Sequence, residues 1–345
     1  MPERRITYAE ALREAQQQAL AEFPDLLVMG LGSTDPGGVF GSTKDLHQSF
    51  PGRVYDLPLS EEGTTGIAHG AVVAGMRAIC VHQRVDFMLV AMSQIVNHAA
   101  KWRYMFGSTK PFGVVYRAVI GRGWGQGAQH SQSLHSLFAH IPGISVVMPS
   151  TPYDAKGLLI EAVRREQPVV CLEHRNLYGI QGEVPEAPYG VPLGRGLIRR
   201  EGRHVTIVAV SQMGLEAGKA AEILAAEGVE AEILDPRTIS PLDEELLFRS
   251  VRKTGALVVC DTSWAFCGFS AEVAARVAEC CFGSLKAPIA RVTLPPIPTP
   301  SSPVLEAAFY PQAQTIVAAV RDILKRPTAA LAPAGSNQRS ERESW

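Results

Sequence analysis

Hydrophobic runs of membrane-spanning length are missing from this sequence, and residues 1–15 contain no apolar core of the size found in signal peptides. A surplus of charge of either sign is missing as well, because 33 Lys and Arg residues are matched by 34 Asp and Glu residues, for a formal net charge of −1 at pH 7. We therefore expect neither a membrane nor a nucleic acid as a partner, and we predict a cytoplasmic location.

The 6 cysteines lack Cys-x-x-Cys spacing, and 4 of them lie within apolar stretches. We therefore predict reduced core thiols rather than zinc ligands or disulfides. No third ligand follows His82, Asp86 or His98 at a spacing that would complete a metal site. These three are predicted to be ordinary polar groups at a strand end or on a helix surface, and no metal site is predicted in this chain.

The 345 residues, of which 46% are hydrophobic and 19% charged, provide enough apolar material for two cores. Continuous apolar runs alternate with helical patterns, which is typical of doubly wound α/β domains with mainly parallel sheets. A stretch rich in Pro and Gly at 181–203 indicates a linker. We predict a first domain at 1–180, a second, smaller domain at 204–326 and a disordered tail at 327–345.

Apolar runs predict the strands, and apolar periodicity with capping signals predicts the helices. Thr7 and Glu10 form a capping box for the first helix, and Ser240 before Pro241 is the expected N-cap of a later one. Predicted strands cover 26–29, 78–82, 113–118, 145–148, 169–173, 205–210, 230–234, 256–260 and 288–292. Predicted helices cover 8–23, 66–76, 87–106, 131–140, 152–165, 215–227, 241–252, 270–281 and a last segment ending near 325.

The most informative segment runs from Pro58 through Ser60, Glu61 and Glu62 into a stretch of Gly and Ala that ends at Gly75. It places a carboxylate at the end of an extended segment, just before a helix whose small residues allow close backbone approach. Such a carboxylate can act on a ligand. It can also be a helix N-terminal charge that only complements the helix dipole.

This segment, the run DFMLVAMSQIVNHAAKWRYM and the run GQGAQHSQSLHSLFAHIPGISVVMPSTPYDAKGLL follow each other in an order that resembles the β-subunit of thiamine-diphosphate-dependent 2-oxo acid dehydrogenases. The resemblance covers roughly residues 5–325. It implies two doubly wound α/β domains, an N-terminal pyrimidine-binding domain like that of transketolase and a smaller C-terminal transketolase-type domain. It also implies an α-subunit partner in an α2β2 heterotetramer.

The resemblance assigns roles to five side chains. Glu61 matches the carboxylate that hydrogen-bonds N1′ of the cofactor aminopyrimidine, and Phe87 matches the aromatic that stacks on that ring. Leu59 and Gln83 fall at further pyrimidine-lining positions. His130, in a glycine-rich loop, matches a histidine that faces the reacting end of the cofactor. An ordinary core aromatic is the alternative interpretation of Phe87.

The family's Gly-Asp-Gly and Asn-Asn elements, which hold the diphosphate and Mg²⁺, are absent from this chain. The resemblance therefore implies that a separate α-subunit binds the diphosphate and the metal. It further implies decarboxylation of a 2-oxo acid and transfer of the acyl group to a lipoyl group on an acyltransferase partner. Two alternatives stay open, a split transketolase-like enzyme with an aldehyde acceptor and a noncatalytic binding subunit.

Three departures from the family pattern limit this transfer of detail. The first strand is followed by Gly-Leu-Gly-Ser at 30–33 where an acidic group is common, and Arg165 occupies an acidic position of a potassium site, so no potassium ion is predicted. The run His-Gln-Arg-Val-Asp at 82–86 replaces a version that begins with Glu. The identity of the 2-oxo acid stays open.

Overall fold

The computed structural model describes residues 4–107 and 111–325 and contains two α/β domains on separate sheets. The tail predicted to be disordered, 327–345, lies outside the described residues. The strands, numbered in chain order, are β1 (Arg5–Thr7), β2 (Leu26–Gly30), β3 (Val54–Tyr55), β4 (Arg77–His82), β5 (Val114–Ile120), β6 (Ser145–Val147), β7 (Val169–His174), β8 (Gln181–Glu183), β9 (Leu197–Arg200), β10 (Val205–Ala209), β11 (Ala231–Asp235), β12 (Thr238–Ser240), β13 (Leu257–Trp264) and β14 (Ala290–Leu294).

The helices cover both faces of the two sheets, as the alternating pattern predicts. They are α1 (Tyr8–Glu22), α2 (Leu46–Ser49), α3 (Glu61–Val73), α4 (Val85–Met88), α5 (Trp102–Phe106), α6 (His135–Ala139), α7 (Pro152–Arg164), α8 (Met213–Ala226), α9 (Glu244–Thr254), α10 (Phe269–Cys281), α11 (Pro303–Phe309) and α12 (Ala313–Lys325). Short 3₁₀ turns lie at Leu89–Ala91, Arg175–Leu177 and Phe282–Ser284, and a π-helical segment lies at Ser93–Ala99.

The N-terminal sheet has the strand order β12-β6-β7-β5-β4-β2-β3. Its strands are parallel except for β12, which pairs antiparallel with β6 at one edge. From β2 the chain moves outward to β3 and then returns to β4 on the other side of β2, so the direction of winding reverses there. In an open parallel sheet such a reversal leaves a crevice at the carboxyl ends of the strands.

The second sheet has the order β14-β13-β10-β11-β9, with β9 antiparallel to β11 at its edge. The segment 181–203 carries strands of two sheets, because β8 pairs with β1 and β9 joins the second sheet. β12 follows β11 in the chain but extends the first sheet. The two domains are therefore tied together by backbone pairing as well as by side chains.

Apolar packing also crosses the boundary between the domains. One buried cluster includes Tyr116 and Ile120 of the first sheet together with Val208 and Val259 of the second. Separate clusters fill the outer layer of each domain. All 6 cysteines are free thiols. The 4 that are buried agree with the prediction of core thiols, whereas Cys267 and Cys280 are exposed.

A buried ion pair fixes the centre of the first sheet. Arg117 Nε donates to Glu173 Oε1 over 2.6 Å, and its Nη2 donates to Glu173 Oε2 over 2.8 Å. Tyr178 Oη donates to the same carboxylate over 2.6 Å, and Ser42 Oγ accepts from Arg117 over 3.0 Å. These contacts satisfy both oxygens of a carboxylate that is only 1% exposed, which is what a buried charge requires.

The predicted strands are confirmed to within a few residues, and several helices differ. The helix predicted at 66–76 begins at Glu61 and ends at Val73. The segment 87–106 is broken into α4, a 3₁₀ turn, the π-helical segment and α5, and the segment 131–140 forms only the short helix α6. Ser240 lies in β12 and is not an N-cap. Asp243 caps α9, since its Oδ1 accepts from Leu246 N over 3.1 Å.

The capping box at Thr7 and Glu10 is confirmed, because each side chain accepts a hydrogen bond from the other residue's backbone N–H. The last helix runs from Ala313 to Lys325, the last residue that the structure describes. In the described part of the chain, no helix combines the length and the hydrophobicity that crossing a membrane requires.

Candidate functional site

A small cleft lies at the carboxyl ends of β2, β3 and β4, where the winding of the first sheet reverses. Its volume is about 110 Å³. The lining combines apolar and polar side chains from the segments that follow these strands: Leu31, Pro58, Leu59, Ser60, Glu61, Thr64, Val81, His82, Gln83, Arg84 and Phe87. Four residues predicted from the sequence to bind the cofactor are thus brought together by three strand ends.

Glu61 is the first residue of α3, and Ser60 before it makes no side-chain capping bond. The Glu61 side chain lies in the cleft lining and is partly exposed, whereas Glu62 is exposed and lies outside that lining. The exposed N–H groups of the first turn and the helix dipole attract negative charge near this position. Among the residues that line the cleft, Glu61 is the one with a carboxyl group.

Phe87 lines the cleft and contacts His130, which comes from a different element and is not itself a lining residue. Phe87 lies in α4, and His130 lies in the loop after β5. Their ring centroids are 4.9 Å apart with planes at 72°, an edge-to-face contact. Phe87 is 38% exposed, so one part of its ring stays open to a ligand. The loop that carries His130 contains neither helix nor strand, as its glycine content predicts.

Leu59 and Gln83 follow β3 and β4, the two strands on either side of β2. Gln83 Nε2 donates to Leu31 O over 3.2 Å, which ties the segment after β4 to the segment after β2. Leu59 is 75% exposed and projects from the segment before α3. An apolar side chain so exposed at the rim of a cleft contributes packing surface once a ligand or a partner covers it.

His82 is a lining residue whose place in the site was not predicted from the sequence. It ends β4 and is buried, with its Nε2 3.5 Å from Thr65 Oγ1 and 3.6 Å from Cys80 Sγ. Burial lowers the pKa of His82 to about 4, so the imidazole is neutral at pH 7. The one available signal is its position at the end of a central strand, where the side chains of such sheets line the crevice.

The comparisons with known proteins agree with this geometry. Residues 4–181 match the model of the transketolase pyrimidine binding domain, and residues 194–316 match the transketolase C-terminal domain. The chain is 46% identical to the acetoin:2,6-dichlorophenolindophenol oxidoreductase subunit beta of Cupriavidus necator, over 93% of this chain and 98% of the relative. It is 38% identical to the 2-oxoisovalerate dehydrogenase subunit beta of Bacillus subtilis, over 92% and 98%. The chain belongs to the family of 2-oxo acid dehydrogenase β-subunits.

A solved structure described as a split gene transketolase, inactive beta4 tetramer, matches this β-subunit with a TM-score of 0.78 and 26% identity, over 93% of this chain and 99% of that chain. The fold predicted from the sequence, two transketolase-like α/β domains, is therefore confirmed. The dehydrogenase subunits are markedly closer in sequence than the split transketolase, so the transketolase alternative is not favoured.

The members of this family use thiamine diphosphate. Drug-sized ligands occupy sites of about 300–1,000 Å³, so a cleft of about 110 Å³ is too small for a whole cofactor. Its carboxylate, aromatic face, amide and apolar rim suit a flat, nitrogen-containing ring. Among the described residues, no group of three His, Cys, Asp or Glu side chains is placed to hold a metal ion.

Proposed function

We propose that this β-subunit supplies the aminopyrimidine half of a thiamine diphosphate site and acts with an α-subunit as a decarboxylating 2-oxo acid dehydrogenase. The observation that carries the proposal is the convergence of Leu59, Glu61, Gln83 and Phe87 on one cleft at the winding reversal of the first sheet. Their separation in sequence, from position 59 to position 87, makes that convergence a property of the fold.

When bound, thiamine diphosphate supplies a nucleophilic carbon that adds to the 2-oxo group of the substrate. Glu61 holds a proton at pyrimidine N1′ and so favours the tautomer whose amino nitrogen can accept a proton. Phe87 offers a ring face for stacking and limits the access of water to that face. His130, in contact with Phe87, holds or delivers a proton at the reacting end of the site.

The remaining half of the site is assigned to an α-subunit in an α2β2 heterotetramer. The diphosphate and Mg²⁺ then bind to the α-subunit, and the acceptor of the acyl group is a lipoyl group on an acyltransferase. The small volume of the cleft and the exposed Leu59 support a shared site. The inactive beta4 tetramer of the split gene transketolase supports one more proposal, that this chain without an α-subunit self-associates in an inactive form.

An acyloin is the second candidate substrate. It is favoured by the relative named for acetoin, which is 46% identical against 38% for the one named for 2-oxoisovalerate. Cleavage of an acyloin breaks the bond between the carbonyl and carbinol carbons. The carbinol carbon leaves as an aldehyde, so a base must remove the proton of its hydroxyl group. Loss of CO₂ requires no base. His130, which contacts Phe87 of the cleft lining, is the group suited to take that proton.

The decisive experiment is calorimetric titration of thiamine diphosphate and Mg²⁺ into the chain alone and into its complex with an α-subunit from the same organism. Binding of one cofactor per αβ pair, with none to the chain alone, is the expected result. Reduction of 2,6-dichlorophenolindophenol with a panel of 2-oxo acids and with acetoin then identifies the substrate. A well-formed complex that does not bind the cofactor would support the noncatalytic alternative and end the proposal.

A further inference from the structure

The His130 imidazole has few contacts that fix its position. Within the described residues it makes no hydrogen bond, and its one recorded side-chain contact is the edge-to-face packing on Phe87. A group that must meet a reacting atom needs a defined position, because a displacement of about 1 Å can cost about 100-fold in rate. The position of His130 therefore depends on what holds the loop that carries it.

That loop is closed at its base. It spans residues 121–132, and Gly121 N donates to Gln132 O over 3.3 Å. Gly121 has φ +75°, and a Cβ there would lie 2.3 Å from His174 Nε2, so the loop leaves β5 in a conformation that only glycine allows. Backbone bonds within the loop, such as Gln126 N to Gly123 O at 3.0 Å, give it local turns.

Two charged side chains on either side of Val85 hold the two ends of this loop. Arg84 Nη1 donates to Gly121 O over 2.8 Å, and its Nη2 donates to Gln126 Oε1. Asp86 Oδ1 accepts from Gln132 Nε2 over 2.9 Å and from Gln132 N over 3.3 Å. Both side chains are buried, at 3% and 8% exposure.

The next residue in the chain is Phe87, the ring on which His130 rests. The run 84–87 therefore holds the first part of the loop, its last residue and the imidazole itself. Arg84 has both terminal nitrogens engaged on the loop, and its buried Nε has no hydrogen-bond partner among the described residues. The second domain also holds the loop. Tyr310 Oη donates to Ser131 O over 3.4 Å, the Arg122 guanidinium lies 5.0 Å from the Tyr310 ring centroid, and Arg122 Nη1 lies 4.0 Å from Glu306 Oε2.

We propose that Arg84 and Asp86 are positioning residues that fix His130 against Phe87 by clamping the two ends of the 121–132 loop. This inference rests on the proposed role of His130. Asp86 holds the nearer end, because Gln132 is two residues from His130 whereas Gly121 is nine.

The test is a double-mutant cycle in the αβ complex, with dye reduction as the assay. His130→Ala is expected to lower turnover by about 10²–10⁴-fold, the usual contribution of a general acid or base. Asp86→Ala is expected to lower turnover by about 10–100-fold in the parent but less than about 3-fold in His130→Ala, because an anchor has no effect once the anchored group is gone. Asp86→Asn, which keeps the Oδ1 acceptor, is expected to recover most of the activity.

A second readout does not depend on activity. In hydrogen exchange, amides of the 121–132 segment are expected to exchange faster in Asp86→Ala and in Arg84→Met than in the parent. Asp243→Ala is the matched control, because Asp243 also accepts from backbone N–H groups but caps α9 in the second domain. It is expected to lower stability while leaving both turnover and exchange of the loop unchanged.

The outcomes separate this inference from the proposed function. Equal fold-losses for Asp86→Ala in the two backgrounds, or unchanged exchange of the 121–132 segment, would overturn the clamp while leaving the proposed function in place. Unchanged turnover in His130→Ala would show that His130 has no role in the reaction and would therefore also overturn the proposal that Arg84 and Asp86 position it for that reaction. A large coupling with faster exchange would support both.

Discussion

Replacing Glu61 with Gln, beside a matched replacement of Glu62, separates a catalytic carboxylate from a helix N-terminal charge. Both residues lie in the first turn of α3, so both charges interact favourably with the same helix dipole. Each substitution preserves side-chain size and removes one negative charge. The residues differ in one respect, because Glu61 lines the cleft and Glu62 lies outside its lining.

The magnitudes decide between the two interpretations. A charge at an exposed helix N-terminus contributes about 0.3–1 kcal/mol, so each variant is expected to lose at most about 1 kcal/mol of folding free energy. Loss of a group that holds a proton in the reaction costs about 10²–10⁴-fold in rate, or about 3–5 kcal/mol of transition-state stabilisation. A small and equal effect on stability with a large and unequal effect on turnover is therefore expected.

The assay is dye reduction by the αβ complex, with complex formation checked by size-exclusion chromatography and stability by urea denaturation. Glu61→Gln should assemble and fold like the parent and lose nearly all turnover, and Glu62→Gln should keep turnover within about 3-fold. Turnover of Glu61→Gln near that of the parent would refute the reasoning. So would equal losses in the two variants, because the effect would then belong to the helix terminus.

Three further predictions concern stability and are checked by chemical denaturation of the isolated chain. Glu173→Gln removes the charge that pairs with the buried Arg117 and is expected to lower the free energy of unfolding by about 3–5 kcal/mol. Glu22→Gln, in the partly exposed pair with Arg164, should lower it by less than about 1 kcal/mol. Similar losses in the two variants would contradict the argument from burial. Gly121 and Gly228 have φ +75° and +78°, so replacement of either by Ala strains the backbone by roughly 1–2 kcal/mol. Only a Cβ at Gly121 would meet a histidine ring. Gly121→Ala should therefore lower the free energy of unfolding clearly more than Gly228→Ala. Burial lowers the pKa of His69 and His82 from 6.5 to about 4 and that of His174 to about 3. The free energy of unfolding should therefore fall as the pH is lowered from 7 to 5, by on the order of 1–2 kcal/mol for each histidine, because the unfolded chain takes up protons that the folded chain does not. A stability that does not change over this pH range would contradict the burial of these histidines in the neutral form.

The strands were predictable because their burial leaves a direct mark on the sequence. A strand covered on both faces must be apolar at nearly every position, and β2, β5 and β10 are buried along their whole length. The order of the strands was not predictable in the same way. The pairing of β12 with β6 depends on a chain reversal after β11 that no local pattern records.

The broken helix between positions 85 and 106 has a physical explanation. Its backbone bonds change from three-residue to five-residue spacing, as in Ala100 N to Ile95 O at 3.0 Å, while the apolar side chains keep a helix-like period. A pattern of side chains does not record that change of hydrogen-bond spacing. At 131–134 the cause is tertiary, because Ser133 Oγ lies 3.4 Å from Thr262 Oγ1 of the second domain and the segment stays non-helical.

The candidate site shows the same division. Glu61, Phe87 and His130 were predicted from a resemblance between linear motifs. The strand order brings Glu61 and Phe87 to one cleft, and His130 contacts Phe87. Asp86 was predicted to be an ordinary polar group, and it is buried with both recorded bonds on Gln132, 46 positions away in the sequence. Asp86 follows β4 and Gln132 follows β5, so the pairing of these two strands brings the two residues together.

The exposed apolar side chains around the cleft connect cofactor binding to subunit assembly. Leu59 is 75% exposed before α3, Ile67 is 56% exposed on α3, and Val90 is 56% exposed just after α4. Single exposed apolar residues are common on protein surfaces, but these three lie on the elements that build one incomplete cleft. Covering a side chain of this size contributes about 1.5–3 kcal/mol. A partner that buries this rim and also supplies the diphosphate half of the site contacts both the cofactor and this chain. The cofactor must then raise the affinity between the subunits by the same factor by which subunit association raises the affinity for the cofactor.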